Sequence, residues 1–318
     1  MNQSNLKKLQ NLLKEKDIDI FVINRSDEYL NEYISPNAER LNFITNFSGS
    51  AGRAIITPTD AFLYVDGRYT FQANTQINAK EIQAKHLNSF WTDLEKILLE
   101  EEYKIALDPT LHSIIEIEKV VKMLENSTSQ LQLIDKNYVD LIWENQPKTQ
   151  YTDIFDHPTS FAGQGRREKL DILKKFLDQN EIDHYFVSGL DNIAWLLNLR
   201  ADDIKYTPLL YSYLLISKNN KHSLYIKESS MPEILKKEIQ TLININNIEN
   251  IGSIFNNINS SESIGLDFNS TTYYFLDLLR KQKINTKNLS NPCILLKAVK
   301  NETELDGAKK AHIRDGVS

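Results

Sequence analysis

Apolar residues near the start of the chain recur at helical spacing and then form a continuous run. Leu6, Leu9, Leu12 and Leu13 fall on one face of a helix. The run Ile18–Ile23 that follows is almost entirely apolar, which is typical of a strand buried on both faces. The pattern predicts an amphipathic helix that leads into the centre of a sheet.

The same pattern returns later in the chain with no gap. Leu170, Leu173, Phe176 and Leu177 repeat the helical spacing, and Ile182–Val187 repeats the apolar run. Further segments then match in the same order. Arg40–Phe47 matches Asn192–Leu199, and a predicted hairpin of residues 54–57 and 63–65, with its turn at 58–60, matches one of residues 213–216 and 224–226, with its turn at 218–220. Ile105–Asp108 then matches Ile264–Asp267, and the predicted helix Ser113–Leu124 matches the predicted helix Thr271–Leu279. Matches in one order favour duplication over chance. The sequence predicts an α/β fold of two tandem units, each a mixed sheet flanked by helices.

Prolines, glycines and polar residues cluster over Gln146–Gly165, which marks the boundary between the copies. We predict a first domain over residues 1–158 and a second over residues 159–300. The stretch Asn244–Ser263 is rich in Asn and Ser, and it is interpreted as loop and weak helix within the second domain.

The end of the chain begins a helix well and does not stop it. Asn301 is followed at the third helical position by Glu304, the pattern of a capping box, but no C-cap precedes Ser318. We predict that residues 301–318 are the first helix of a further domain that this chain does not include. The alternative is a frayed terminal helix that packs on the second domain.

Length, net charge and cysteine content limit the classes of protein to which the chain can belong. The length of 318 residues fits two domains of roughly 150 residues each. A net charge of −6 argues against a nucleic-acid partner, which requires a basic face. The lone Cys293 excludes an intrachain disulfide and suits a reducing cytoplasm. No apolar stretch approaches the roughly 18 residues of a membrane span. We therefore predict a cytoplasmic protein with no membrane partner.

Several motifs resemble those of the cytosolic three-domain Xaa-Pro aminopeptidases (aminopeptidase P, peptidase family M24). They are Phe47–Gly52 and Val65–Ala73 in the first domain, Val139–Trp143 at its end, Leu190–Arg200 in the second domain, and Lys300–Leu305 with Ala311–Gly316 at the predicted opening of the third. The resemblance covers the chain in family order, and the second-domain motif is the most specific.

The resemblance implies two creatinase-type N-terminal domains, followed in the family by a pita-bread metallopeptidase domain that is absent here. It implies a parent enzyme that removes an N-terminal residue before proline, that forms a homodimer, and that uses two divalent metals, often manganese, to activate water. The family's metal ligands (two Asp, one His and two Glu) lie in the third domain. We therefore expect no catalytic residue, metal ligand or cofactor in this chain, which should be inactive alone.

Five residues are candidates for shaping substrate entry or an interface. Asp66 and Arg68 flank Gly67 at a predicted turn, so Arg68 either reaches a substrate carboxylate or partner subunit, or forms a local ion pair; the ion pair is favoured. Asp191, Asn192 and Arg200 flank Trp195 in the second-domain motif, and the resemblance implies that this edge faces the catalytic domain. Trp195 lies in an apolar run and is interpreted as a core residue.

Three functions compete on this evidence. The leading hypothesis is a region that gates and positions proline-containing peptides and supports a dimer. A protein-binding module on the same scaffold, as in histone chaperones, is the alternative. A prolidase or creatinase relative is a weaker rival, because those enzymes carry one N-terminal domain rather than two.

Overall fold

The structure is a computed structural model that describes residues 3–219 and 221–318. Asn220 of the second predicted hairpin turn therefore lies outside the described residues. The chain divides into two compact units. The first unit comprises the chain up to Thr149 together with Thr272–Tyr274, and the second comprises Gln150–Thr271 and Phe275–Ser318. The division falls inside the proline- and glycine-rich stretch 146–165.

The first unit is a six-stranded mixed sheet with helices. Its elements are α1 (Asn5–Glu15), β1 (Ile20–Asn24), α2 (Arg40–Thr45), β2 (Gly52–Ile56), β3 (Ala61–Val65), α3 (Thr70–Gln76), β4 (Gln83–His86), α4 (Phe90–Glu100), β5 (Lys104–Leu107), α5 (Ile114–Leu124), β6 (Gln130–Leu133) and α6 (Tyr138–Ile142). The strand order is β4-β3-β2-β1-β5-β6. β1 is antiparallel to β2 and parallel to β5, which makes the sheet mixed as predicted.

The second unit repeats this arrangement. Its elements are β7 (Phe155–Asp156), α7 (Thr159–Ala162), α8 (Arg166–Gln179), β8 (His184–Val187), α9 (Leu190–Leu197), β9 (Leu199–Arg200), β10 (Tyr213–Ser217), β11 (His222–Ile226), α10 (Glu233–Gln240), β12 (Ile243–Asn247), β13 (Ser263–Leu266), α11 (Tyr273–Lys281), β14 (Asn285–Asn288), α12 (Pro292–Ala298) and α13 (Glu302–Asp315). The order β12-β11-β10-β8-β13-β14 matches the first sheet strand for strand, and β7 pairs separately with β9. The predicted duplication is confirmed.

Both faces of the central strand are buried, which explains its continuous apolar run. Phe21 and Ile23 of β1 join the core under α1, whereas Ile20 and Val22 join the core under α4 and α5. Successive side chains of a strand point to opposite faces. A strand covered by helices on both sides must therefore be apolar at every position, as β1 and β8 nearly are.

Backbone conformations repeat together with the elements. Asp17 and Glu181 each follow the helix that leads into the central strand of their unit, α1 and α8, with φ of 55° and 51°. Asn46 and Asn198 end the short helices α2 and α9 with φ of 60° and 49°. Non-glycine residues adopt this left-handed conformation rarely. Its recurrence at matched positions indicates that the two copies share local structure as well as strand order.

One prediction in the second unit is wrong. Residues 244–247, the start of the stretch 244–263 that is interpreted as loop and weak helix, form with Ile243 the edge strand β12, which pairs in parallel with β11 from His222 to Ile226. Only Ile243 of this strand is fully buried. An edge strand with one covered face lacks the apolar run that marks a central strand. The outer strands β4, β6 and β14 escaped the sequence pattern for the same reason.

The predicted capping box at the start of α13 is confirmed. Asn301 Oδ1 accepts the backbone N–H of Glu304 at 2.9 Å, and Glu304 Oε2 accepts the N–H of Asn301 at 3.0 Å. No residue of α13 is buried. Its first turn is nevertheless anchored, because Asn301 Nδ2 donates to the carbonyl of Ala162 at 2.8 Å.

Candidate functional site

A pocket of about 660 Å³ in the second unit brings two of the predicted residues together. Asp191 at the start of α9 and Arg200 on β9 both line it, and one wall is α13. Trp195 lies between them in the chain, on the same helix as Asp191. The remaining wall includes Leu209 and the rim residue Phe161, whose ring is mostly exposed. The pocket therefore combines charged groups with apolar surface.

Only one nitrogen of the Arg200 guanidinium, Nη1, is hydrogen-bonded to described residues. Its Nη1 donates to the carbonyl of Ala194 at 2.5 Å and to that of Leu199 at 2.9 Å. Ala194 lies near the C-terminal end of α9, where a cation is favourable. Among the described residues no carboxylate lies within 4.0 Å of the guanidinium. Burial lowers the pKa of Arg200 from its usual value.

Asp191 is occupied by a neighbour on the pocket wall. Its Oδ2 forms an ion pair with Nζ of Lys297 on α12, and its Oδ1 accepts the backbone N–H of Asn192 at 2.9 Å. The carboxylate therefore fixes Lys297 and contributes little net charge to the pocket.

Asn192 does not line the pocket. Its side chain is buried, and its Nδ2 packs against Gly189. Its Oδ1 has no hydrogen-bond partner in the described part of the chain. Neighbouring residues on a helix point in different directions, so Asp191 and Asn192 are separated by one helical step of about 100°.

Trp195 is largely buried, as predicted, at 9% exposure. It also has a polar role that the sequence did not reveal. Its Nε1 donates to Glu304 Oε1 at 3.2 Å, which connects the core of the second unit to the first turn of α13.

Lys169 lies beneath this indole and is almost completely buried, at 1% exposure. Its Nζ is 4.2 Å from the ring centroid of Trp195 and donates to the carbonyl of Trp195 at 2.7 Å and to Asn198 Oδ1 at 2.8 Å. Burial lowers the pKa of Lys169 to about 8. The sequence carried a signal for this residue: Lys169, Leu173 and Leu177 are four residues apart on the buried face of α8.

Asp66 and Arg68 lie in the first unit, at a short turn after β3. Asp66 Oδ1 accepts the Nε–H of Arg68 at 2.8 Å and its backbone N–H at 3.0 Å. These hydrogen bonds lower the pKa of Asp66. The local ion pair is thus present as favoured, and the Arg68 side chain remains 71% exposed.

Within residues 3–219 and 221–318, no three His, Cys, Asp or Glu side chains come together as a metal-binding group. The same residues contain no helix whose length and apolar character would allow it to cross a lipid bilayer.

Comparison with protein families assigns both units. The model for the creatinase/prolidase N-terminal domain matches residues 5–136, and a second model of the same description matches residues 145–304. This chain belongs to the creatinase/prolidase N-terminal domain family. It carries that domain twice, in agreement with the duplicated sheets.

Two fungal relatives of this chain bear the same name. The chain is 31% identical over 333 residues to a probable Xaa-Pro aminopeptidase P of Paracoccidioides brasiliensis (strain Pb03) and 32% identical over 332 residues to that of Sordaria macrospora. Each alignment covers 98% of this chain and 53% of the relative. The chain therefore spans about half the length of the curated relatives that it matches.

A solved structure shares the fold. The X-prolyl aminopeptidase of Caenorhabditis elegans, described as a cytosolic enzyme with a di-nuclear active site, superposes with a TM-score of 0.89 at 24% identity. The superposition covers 98% of this chain and 53% of the nematode chain.

Proposed function

We propose that this chain is the N-terminal region of a metal-dependent Xaa-Pro aminopeptidase, in which the two domains gate and position peptides whose second residue is proline. The two divalent metals, manganese in our proposal, are held by a domain outside this chain, and the chain alone is inactive. The parent enzyme acts in the cytoplasm as a homodimer. The names of the relatives at 31% and 32% identity support the activity.

The pocket beside α13 is the observation that supports a role in gating. Its volume of about 660 Å³ lies within the range of roughly 300–1,000 Å³ that is typical of sites for small ligands. Such a volume admits a short peptide and excludes a folded protein. Fixed Arg200 and the indole edge of Trp195 offer a charged and an apolar contact to the same ligand.

The activity is tested by comparing this chain with the full-length gene product. We expect manganese-dependent release of the first residue from an Arg-Pro-Pro peptide by the full-length protein and none by the chain alone. No release by a folded, metal-loaded full-length protein would overturn the proposal and favour a protein-binding module.

The gating role is tested by obstructing the pocket. Gly307 of α13 lines it, and nothing lies within 4 Å of the position of an added Cβ, so Gly307→Trp can be introduced without a clash at that atom. Its neighbour Ala308 is exposed and is not part of the pocket wall, which makes Ala308→Trp the matched control. We expect Gly307→Trp to raise KM for Xaa-Pro peptides several-fold and Ala308→Trp to leave it unchanged. Equal KM values for the two variants would exclude the pocket from substrate entry.

A further inference from the structure

The charges around the pocket of the second unit do not cancel. Two carboxylates on its wall are already paired, Asp191 with Lys297 and Asp306 with Lys310, the latter at 2.6 Å. The third, Glu304, accepts hydrogen bonds from Trp195 and from the backbone of Asn301.

Three cations on the same wall lack a carboxylate partner. Arg200, Lys300 and Arg314 line the pocket, and within the described ranges none of them has a carboxylate oxygen within 4.0 Å. Lys300 Nζ donates only to the carbonyl of Lys297. Against the single charge of Glu304, these three groups leave the pocket with an excess of positive charge.

Arg200 is the group best prepared to receive an anion. Its Nη1 is held by two backbone carbonyls, while Nε and Nη2 donate to no described residue. An Nε–Nη2 edge of guanidinium matches the two oxygens of a carboxylate as a planar fork. Because the side chain is already fixed, little conformational entropy is lost when a ligand binds.

The apolar wall restricts the class of ligand. Ala194, Leu209 and Trp195 lie beside the cations, so a ligand that fills the pocket presents apolar atoms next to its charge. A short peptide meets this requirement, whereas a compact inorganic anion leaves the apolar surface uncovered.

From this geometry we propose that Arg200 binds a carboxylate of a peptide in the pocket of the second unit, with Lys300 and Arg314 adding electrostatic attraction. The inference rests on the proposed function for the identity of the ligand as a peptide. The carboxylate comes from the C-terminus of the peptide or from an acidic side chain, and the two sources are separated by the experiment.

The test measures binding to this chain directly, independently of any cleavage. Tryptophan emission and titration calorimetry report the affinity for Ala-Pro-Ala-Ala as the free acid, as its C-terminal amide, and for the amide of Ala-Pro-Asp-Ala. We expect the free acid to bind about ten-fold more tightly than its amide, since a hydrogen-bonded charge pair is lost in the amide. Tight binding of the aspartyl amide instead would assign the carboxylate to a side chain.

Substitution of Arg200 tests whether this residue binds the carboxylate. Arg200→Gln should abolish the difference between acid and amide, whereas Arg167→Gln, an exposed position on α8 outside the pocket wall, should preserve it. Arg200→Lys retains the charge without the fork and should keep part of the difference. The comparison of peptides on the unaltered chain needs no variant, so it decides the matter even if Arg200→Gln does not fold.

Equal affinities for all three peptides would overturn the inference. Loss of peptide cleavage by the full-length protein, with carboxylate binding retained by this chain, would instead reject the proposed function alone.

Discussion

The two units have the same fold but stabilise one matched position by opposite means. In the first unit, Arg53 at the start of β2 forms an ion pair with Glu116 in the first turn of α5. In the second unit the matched residues are Tyr213 at the start of β10 and Phe275 on α11, whose ring centroids lie 5.0 Å apart. The same backbone therefore accommodates either an ion pair or an aromatic pair at these two positions.

The charged version has unsatisfied atoms that the aromatic version does not contain. Arg53 Nη1, Asn24 Oδ1 and His112 Nε2 are buried without a hydrogen-bond partner in the described ranges. Burial lowers the pKa of His112, so this imidazole is neutral. Each unsatisfied buried group costs about 1–3 kcal/mol, so the first unit holds less stability at this position than its ion pair suggests.

A second matched position also differs between the units, and in the second unit it lies at the pocket. In the first unit Phe43 of α2 stacks on Trp143, with ring centroids 4.4 Å apart. In the second unit Trp195 matches Phe43, and Lys297 matches Trp143. Trp143 and Lys297 follow the N-cap residues Asn137 of α6 and Asn291 of α12 at the same spacing. In the second unit a lysine thus occupies the position of the stacked tryptophan, and both Trp195 and Lys297 line the pocket.

The aromatic pair is broken by Phe275→Ala, with the largest expected effect. Phe275 is 2% exposed and lies 4.5 Å from the ring centroid of Phe186. We expect a loss of about 4 kcal/mol in the free energy of unfolding, as for other buried Phe→Ala changes. Urea unfolding monitored by tryptophan emission measures this loss, with the exposed Tyr206→Ala as a control. A loss below that of the control would show that the cluster contributes nothing.

The ion pair is broken by Glu116→Phe, which leaves Arg53 and the backbone N–H of Ser113 without their acceptor. We expect a loss of about 3 kcal/mol, because removing one partner of a mostly buried pair leaves an uncompensated charge. Adding Arg53→Tyr copies the second unit and should recover most of that loss. Urea unfolding monitored by tryptophan emission measures both variants. A double variant no more stable than Glu116→Phe would show that the two positions are not interchangeable.

Acid should lower the stability of the second unit through His222, the first residue of β11. The matched residue of the first unit is Ala61, the first residue of β3. Burial lowers the pKa of His222 to about 4, and its Nδ1 accepts the backbone N–H of Ser217 at 3.0 Å. The imidazole stays neutral in the folded state, whereas the unfolded chain takes up a proton below about pH 6.5. Stability is therefore lost as pH falls from about 6.5 to 4, on the order of 3 kcal/mol.

His222→Asn keeps an acceptor for Ser217 and does not titrate. Urea midpoints at several pH values should fall less steeply for this variant below pH 6.5. Parallel curves for the variant and the parent would assign the acid sensitivity to other groups.

The smallest effect is expected for Asp191→Ala on the pocket wall. The carboxylate is 53% exposed in its pair with Lys297, and such pairs contribute about 0.5 kcal/mol. Asp171→Ala, which removes a similarly exposed pair with Lys174 on α8, is the matched control. Thermal unfolding should not separate the two variants, and a much larger loss for Asp191→Ala would make this pair structural rather than part of an open pocket.

The predictions that succeeded rest on local signals. Helical spacing and apolar runs are properties of a few adjacent residues, so α1, β1, β8 and the hairpins were identified correctly from the pattern. The capping box at Asn301 is equally local. The outer strands were missed because backbone pairing with a neighbour, rather than side-chain pattern, makes them strands.

The candidate site was predicted only in part. Asp191 and Arg200 were singled out by the resemblance of the second-domain motif, and both line the pocket. Asn192 belongs to the same motif but faces the interior. Lys169 and Glu304 lie far from that motif in the chain, and only the packing of α8 and α13 against α9 brings them to Trp195.

The sequence by itself therefore determined the duplication, the class of fold and the family resemblance, because each depends on the order and spacing of residues along the chain. The tertiary structure alone decided which charges remain unpaired. Arg200 is a candidate ligand-binding group because Asp191 is taken by Lys297 and Glu304 by Trp195. Electrostatic pairing depends on distances of a few ångström between residues more than a hundred positions apart, and folding sets those distances.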